Sequence, residues 1–245
     1  MTTEYRIVEP GAWPLARSDD GAIKLQSDQE IAARSTSGFF LSYGMTIALA
    51  ELRWHLQRVM KTATKIIGDK GHSIPRGDRS IVVLGSPLNN RYLQVLLPDL
   101  VQRYPLLDKF AWEMGPTGVS LMLPDGRQVT PDVDDDENGY DYALVARMLL
   151  DPVSGKRLVM ISGCNMWGTE AATNFVLDRR QLVLLHKALR RSPKTDAIAF
   201  VIKTTVSNGS PDRIELCPTA EGNVFFDLQR SYSAESGQPK WWMRS

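Results

Sequence analysis

The stretch from Arg157 to Leu177, RLVMISGCNMWGTEAATNFVL, constrains the fold of this chain more than any other. Leu158 to Ile161 form an apolar run with two β-branched members, closed by Gly163, which is the pattern of a strand buried on both faces of a sheet. Gly168-Thr169 then opens a helix. Thr169 suits an N-cap, Glu170 puts a carboxylate where the helix dipole favours it, and Ala171, Ala172 and Phe175-Val176-Leu177 continue the helical pattern. A strand that runs through a glycine loop into a helix N-terminus is a common α/β device for holding a phosphate.

Two other stretches read the same way. Gly38 to Ser42 is an apolar strand, Tyr43-Gly44 the turn, and Ala48, Leu52 and Leu56 the buried face of a helix. Ser80 to Leu84 is a second strand, Gly85-Ser86-Pro87 its turn, and Tyr92 to Val101 its helix. A parallel sheet sets the three loops along one edge, where Gly85, Gly163 and Gly168 allow close backbone approach and Ser42, Tyr43, Ser86, Asn89 and Thr169 offer directional hydrogen bonds. The same residue types also suit a plain Gly-Ser-Pro turn with Asn90 as a helix cap. The expected architecture is a single Rossmann-like, mostly parallel α/β domain over 36–245, behind an irregular N-terminal arm over 1–35. Ala197 to Val206, turned at Asn208-Gly209 into Arg213 to Leu216, adds an antiparallel C-terminal extension.

Charge narrows the partners. With 29 basic and 28 acidic residues the formal net charge is +1, which argues against a chain that coats nucleic acid, so any anion site is local. The most apolar segment, Gly38 to Leu52, contains Glu51 and is followed by Arg53 and His55, too short and too charged to span a bilayer. Two cysteines are too few for a disulfide framework, and MTTEYRIVEPGAW lacks the features of a signal peptide, so a cytoplasmic location is expected. The composition leaves a second copy or another protein open as a partner, with Trp241-Trp242 as a docking contact, and assigns no cofactor.

Between the loops, Phe110 to Thr130 reads as a β-hairpin excursion, and Asp141-Tyr142 lead into an apolar strand that turns at Asp151 to Lys156 into the central motif. Asp132 to Glu137 alternate aspartates as a calcium loop does. Glu137, however, stands where that loop needs glycine, and Ala143 where it needs glutamate, so a solvated acidic loop is expected and no metal site. Arg147 is a charge inside an apolar strand, placed either at a sheet edge with its stem buried or toward an anion. Cys164 reads as a small buried filler rather than a nucleophile. His55, His72 and His186 lack metal-ligand spacing.

The strand, glycine loop, Gly-Thr and helix around 163–170 resemble the GG-x-GT-x-x-E phosphate loop of the Rossmann-like SLOG superfamily, which includes lysine-decarboxylase-like nucleotide phosphoribohydrolases. Gly163, Gly168 and Thr169 are the residues that carry the resemblance; four residues separate Gly163 from Gly168, and Ala172 stands where the family has its glutamate. The resemblance implies a nucleotide phosphate on the loop. The function expected is therefore binding of a nucleotide or sugar phosphate, with hydrolysis of its glycosidic or phosphate bond as the chemistry. Glu170 or Asp141 would then be acid or base and Arg147 the counter-charge, against the alternative of a non-catalytic nucleotide sensor or protein-interaction module.

Overall fold

The computed structural model describes residues 33–34, 40–41, 43–59, 80–88, 90–115, 118–151, 153, 155–189 and 197–229. Residues 60–79 with His72, the N-terminal arm up to residue 32 and Trp241-Trp242 lie outside them. The chain divides into two compact units, Met1–Lys70 and Gly71–Ser245.

In the first unit β1 (Ala33–Arg34) pairs antiparallel with β2 (Phe40–Leu41), and α1 (Tyr43–Trp54) runs on into a π-helical turn, His55–Val59. Ala48 and Leu52, one helical turn apart, are buried residues of α1 among those described.

The second unit is built on a mixed sheet. Its elements are β3 (Ile81–Leu84), α2 (Arg91–Arg103), a 3-10 turn Pro105–Lys109, β4 (Ala111–Gly115), β5 (Gly118–Met122), β6 (Gln128–Val129) and β7 (Asp132–Val133). They continue with β8 (Gly139–Asp151), β9 (Lys156–Gly163), α3 (Met166–Leu177), α4 (Arg179–Leu189), β10 (Ile198–Ser207), β11 (Ser210–Cys217) and β12 (Phe226–Asp227). The main sheet has the order β11-β10-β8-β9-β3, with β7 on β8 and β12 on β10.

The α/β class holds, but the pairing departs from a mostly parallel sheet. β3 and β9 pair parallel, Ile81 opposite Leu158, whereas β8–β9, β8–β10, β10–β11, β7–β8 and β10–β12 all pair antiparallel. The reason is the short connection after Asp151: a turn closing at Gly155 (φ 65°) can only fold the chain back on itself, since a parallel return needs a crossover of a dozen residues or more. The expected hairpin excursion is present as a separate antiparallel sheet, β4-β5-β6. The expected Asn208-Gly209 turn is present too, with both residues left-handed (φ 49° and 73°).

Side chains alternate across the strands, so the sheet buries two faces. On one, Leu144, Ala146 and Met148 pack against Leu93 and Leu100 of α2 and against Phe110. On the other, Ala143, Val145 and Ile161 pack against Ala172 and Phe175 of α3 and Leu185 of α4. Each fully buried Leu or Phe contributes about 1.5–3 kcal/mol. The helices following β3 and β9 therefore lie on opposite faces of two adjacent parallel strands.

Candidate functional site

The C-terminal ends of β3 and β9 are tied together. Gly85 donates its amide to Ile161 O (2.9 Å) and receives at its own carbonyl the hydroxyl of buried Ser162 (2.7 Å). Gly85 takes φ 103°, a conformation costly for any residue with a Cβ, and this sends the chain toward α2. Asn90 caps α2, its Oδ1 accepting from Leu93 N (3.1 Å) and its Nδ2 donating to Leu84 O (2.9 Å). Two of the three expected loops thus meet at one edge, at the place where the connections diverge to opposite faces. Ser42 and Asn89 lie outside the described residues, and Tyr43 opens α1 in the N-terminal unit.

At the loop after β9 the helix begins earlier than its sequence suggests. α3 starts at Met166 with Asn165 in the cap position, so Thr169 lies within the helix and Glu170 beyond its first turn. The N-cap expected of Thr169 is supplied from another strand. Asp141, fully buried in β8, accepts amide hydrogen bonds from Gly168 (2.6 Å), Tyr142 (2.7 Å) and Asn165 (3.2 Å). Thr169 instead turns inward, its Oγ1 accepting from Gly163 N (3.1 Å) and donating to Asn165 O (3.4 Å). Both loop glycines are required by space: a Cβ on Gly168 would run into the Tyr142 carbonyl, and one on Gly163 into the amide of Thr169.

The electrostatics follow from this packing. Burial outweighs the three amides that favour the charged form and holds the Asp141 carboxyl up at about 6. Burial foremost, then the charge of Asp141, raises the Cys164 thiol well above its ordinary range, so the thiol stays protonated and unreactive. Glu170 is half-buried on α3. Arg147 lies six residues beyond Asp141 on the same face of β8, about 20 Å away at ~3.3 Å per residue. The structure therefore does not bring it to the Asp141 edge. It is not at a sheet edge either, because β8 lies between β9 and β10, with Val159 and Ile198 opposite Arg147.

The acidic run forms the exposed turn between β7 and β8. Asp134 accepts from Asn138 N through Oδ1 (2.7 Å) and from Glu137 N through its carbonyl (3.0 Å), which places Glu137 at φ 57°. Among the described residues, no three His, Cys, Asp or Glu side chains converge as metal ligands, and no helix is long and apolar enough to cross a membrane.

Two features carried no motif in the sequence: Ser162, which joins the two loops, and a cavity between α4 and the sheet that Arg147 lines. For Asp141 there was a signal, since an aspartate and Arg147 share the inward phase of an otherwise apolar strand. No protein-family model, no curated protein and no solved structure matches this chain.

Proposed function

We propose that this chain binds a nucleotide or sugar phosphate in the crevice between the loops following β3 and β9, and that it does so as a sensor rather than as a hydrolase. One observation carries the reading: adjacent parallel strands whose helices leave to opposite faces open a crevice at their carboxyl ends, the usual ligand position in α/β sheets. In this respect the β3–β9 pair is the Rossmann-like part of the fold. Gly163, Gly168 and Thr169 resemble the SLOG phosphate loop, but the Gly163 and Gly168 amides are bonded to Thr169 and Asp141, so the ligand class rests on the crevice instead.

The sensor reading rests on the chemistry of the edge. Asp141 spends both carboxylate oxygens on backbone amides and has no exposed surface, so it serves as a clamp and reaches no substrate. It also occupies the Gly168 amide that a phosphate on this helix would take, which leaves the ligand to the Gly85–Asn90 side of the crevice and to Glu170 at its margin. Arg147 is too far away to supply counter-charge there. Hydrolysis with Glu170 as base is the second reading, favoured by the place of that half-buried residue near the start of α3.

Titrating the chain with AMP, ATP, NAD, UDP-glucose and ribose 5-phosphate, with calorimetry for binding and chromatography for products, tests both. The expected result is saturable one-to-one binding of one class without product, weakened about tenfold in Ser162→Ala. Binding of none of them, or unchanged affinity in Ser162→Ala, overturns the site. Product formation lost in Glu170→Gln replaces the sensor with the hydrolase.

A further inference from the structure

The groove between α4 and the sheet lies at the far end of β8 from the proposed crevice and is independent of it. It opens about 460 Å3, and its lining is almost wholly apolar. The floor is sheet: Val145, Val159, Ile198 and Phe200. The wall is α4, whose Leu182 and Val183 line the groove while staying 39% and 45% exposed. An amphipathic helix ordinarily seats such side chains against its sheet, so this apolar surface is left for another group to cover.

The chain itself arrives at that place. Val224 and Phe225 pack against the core cluster that holds Leu185, Ile198 and Phe200. β12 then pairs with the start of β10, Asp227 opposite Ile198, and Leu228 donates its amide to Ala197 O (3.0 Å). Residues opposite one another in an antiparallel pair point to the same face, so Asp227 stands on the groove side of the sheet, about 5 Å from Ile198. Gln229, the last described residue, donates its amide back to Asp227 Oδ1 (3.0 Å), which fixes the exit point there. The segment that follows, RSYSAESGQPKWWMRS, is largely polar until Trp241, Trp242 and Met243 stand together. Trp241 is the twelfth residue after Gln229, a reach of up to ~40 Å, whereas the 11 residues of α4 extend only ~16 Å. The pair can therefore be set down anywhere along the helix.

We propose that Trp241, Trp242 and Met243 of the same chain occupy this groove, the indoles lying on the Val145, Val159 and Phe200 floor and against Leu182 and Val183, so that they seal α4 onto the sheet. Two indoles suit a space of this size, and each buries about 150–250 Å2 on docking. Because the segment starts beside the groove, docking is intramolecular, and even a weak contact is well populated.

The test compares the full chain with the double variant Trp241→Ser/Trp242→Ser, the difference between their fluorescence spectra reporting the pair alone. That difference is expected at the blue emission of buried indole and to resist acrylamide quenching. In the double variant the amides of α4 should exchange about tenfold faster, while those of α2, on the opposite face, keep their rates. Val183→Glu puts a charge into the groove wall at an exposed position; measured with and without the pair, it should shift the difference emission to that of indole in water, with an unchanged circular dichroism spectrum. All of this should persist over about a hundredfold dilution, because the contact lies within one chain. Emission of water-exposed indole from the pair in the full chain, α4 exchange unaffected by its loss, or protection that fades on dilution, which assigns the groove to a second copy, overturns the proposal.

Discussion

The carboxylate of Asp141 and the amide of Gly168, 27 residues apart in sequence, meet at 2.6 Å and hold the start of α3 against β8. Because the clamp is buried on every side, its protonation is linked to folding. The native carboxyl is raised from 3.8 to about 6, so the native state holds its proton more tightly than the unfolded chain does. The stability from this group is fully present below pH 3.8, falls as pH rises through about 6, and is constant above. Urea unfolding of the wild type and of Asp141→Asn should therefore give a stability difference, wild type minus variant, that declines between pH 4 and 6. The slope is at most about 1.4 kcal/mol per pH unit. A difference that rises over that interval would contradict the assignment.

Gly168→Ala should destabilise the second unit by about 2–3 kcal/mol, because the added methyl meets the Tyr142 carbonyl and a helix start bonded to Asp141 of β8 cannot retreat. Gly155→Ala is the control. Its turn has open space around it and costs only the left-handed backbone, about 1 kcal/mol. Chemical denaturation of the pair separates crowding from conformation.

Tyr104, buried at the end of α2, accepts from Leu149 N and donates to Leu149 O (both 3.1 Å), where the β8–β9 register shifts. Tyr104→Phe removes both bonds without changing shape and should cost about 1–3 kcal/mol. Amide exchange should show faster opening confined to the β8–β9 turn.

The acidic turn should be indifferent to calcium. Asp134 is engaged within the turn with Asn138 and Glu137, and the turn is also tied to the β10–β11 hairpin by Gly209 N to Glu137 O (3.1 Å). Millimolar calcium should leave the melting temperature unchanged; an upward shift would mean a bound ion.

Elements written in local signals were legible. Ser80 to Leu84, the Asn208-Gly209 hairpin and the cap at Asn90 each follow from residues within a few positions of one another. The hand of the pairing was not, because three strand-loop-helix units imply parallel crossovers, and only the tight turn before Lys156 says that β8 and β9 fold back instead. The site was half legible for the same reason. Gly163, Gly168 and Thr169 stood out as a group, yet their partner Asp141 comes from a strand that topology alone brings beside them. Arg147 was visible as a misplaced charge, but its surroundings became clear only once α4 was laid over the sheet.

The bond from Ser162 to Gly85 closes a loop of 77 residues, whereas β8–β9 and β10–β11 are hairpins joined by short turns. Loop-closure entropy makes local pairs quick and distant ones slow. During refolding the central hairpins should thus zip first, and β3 should dock last on a nearly finished sheet. Substitutions at Val83 should then speed unfolding and leave the folding rate nearly untouched. The proposed crevice would be the latest feature of the molecule to appear, and the first a denaturant takes away.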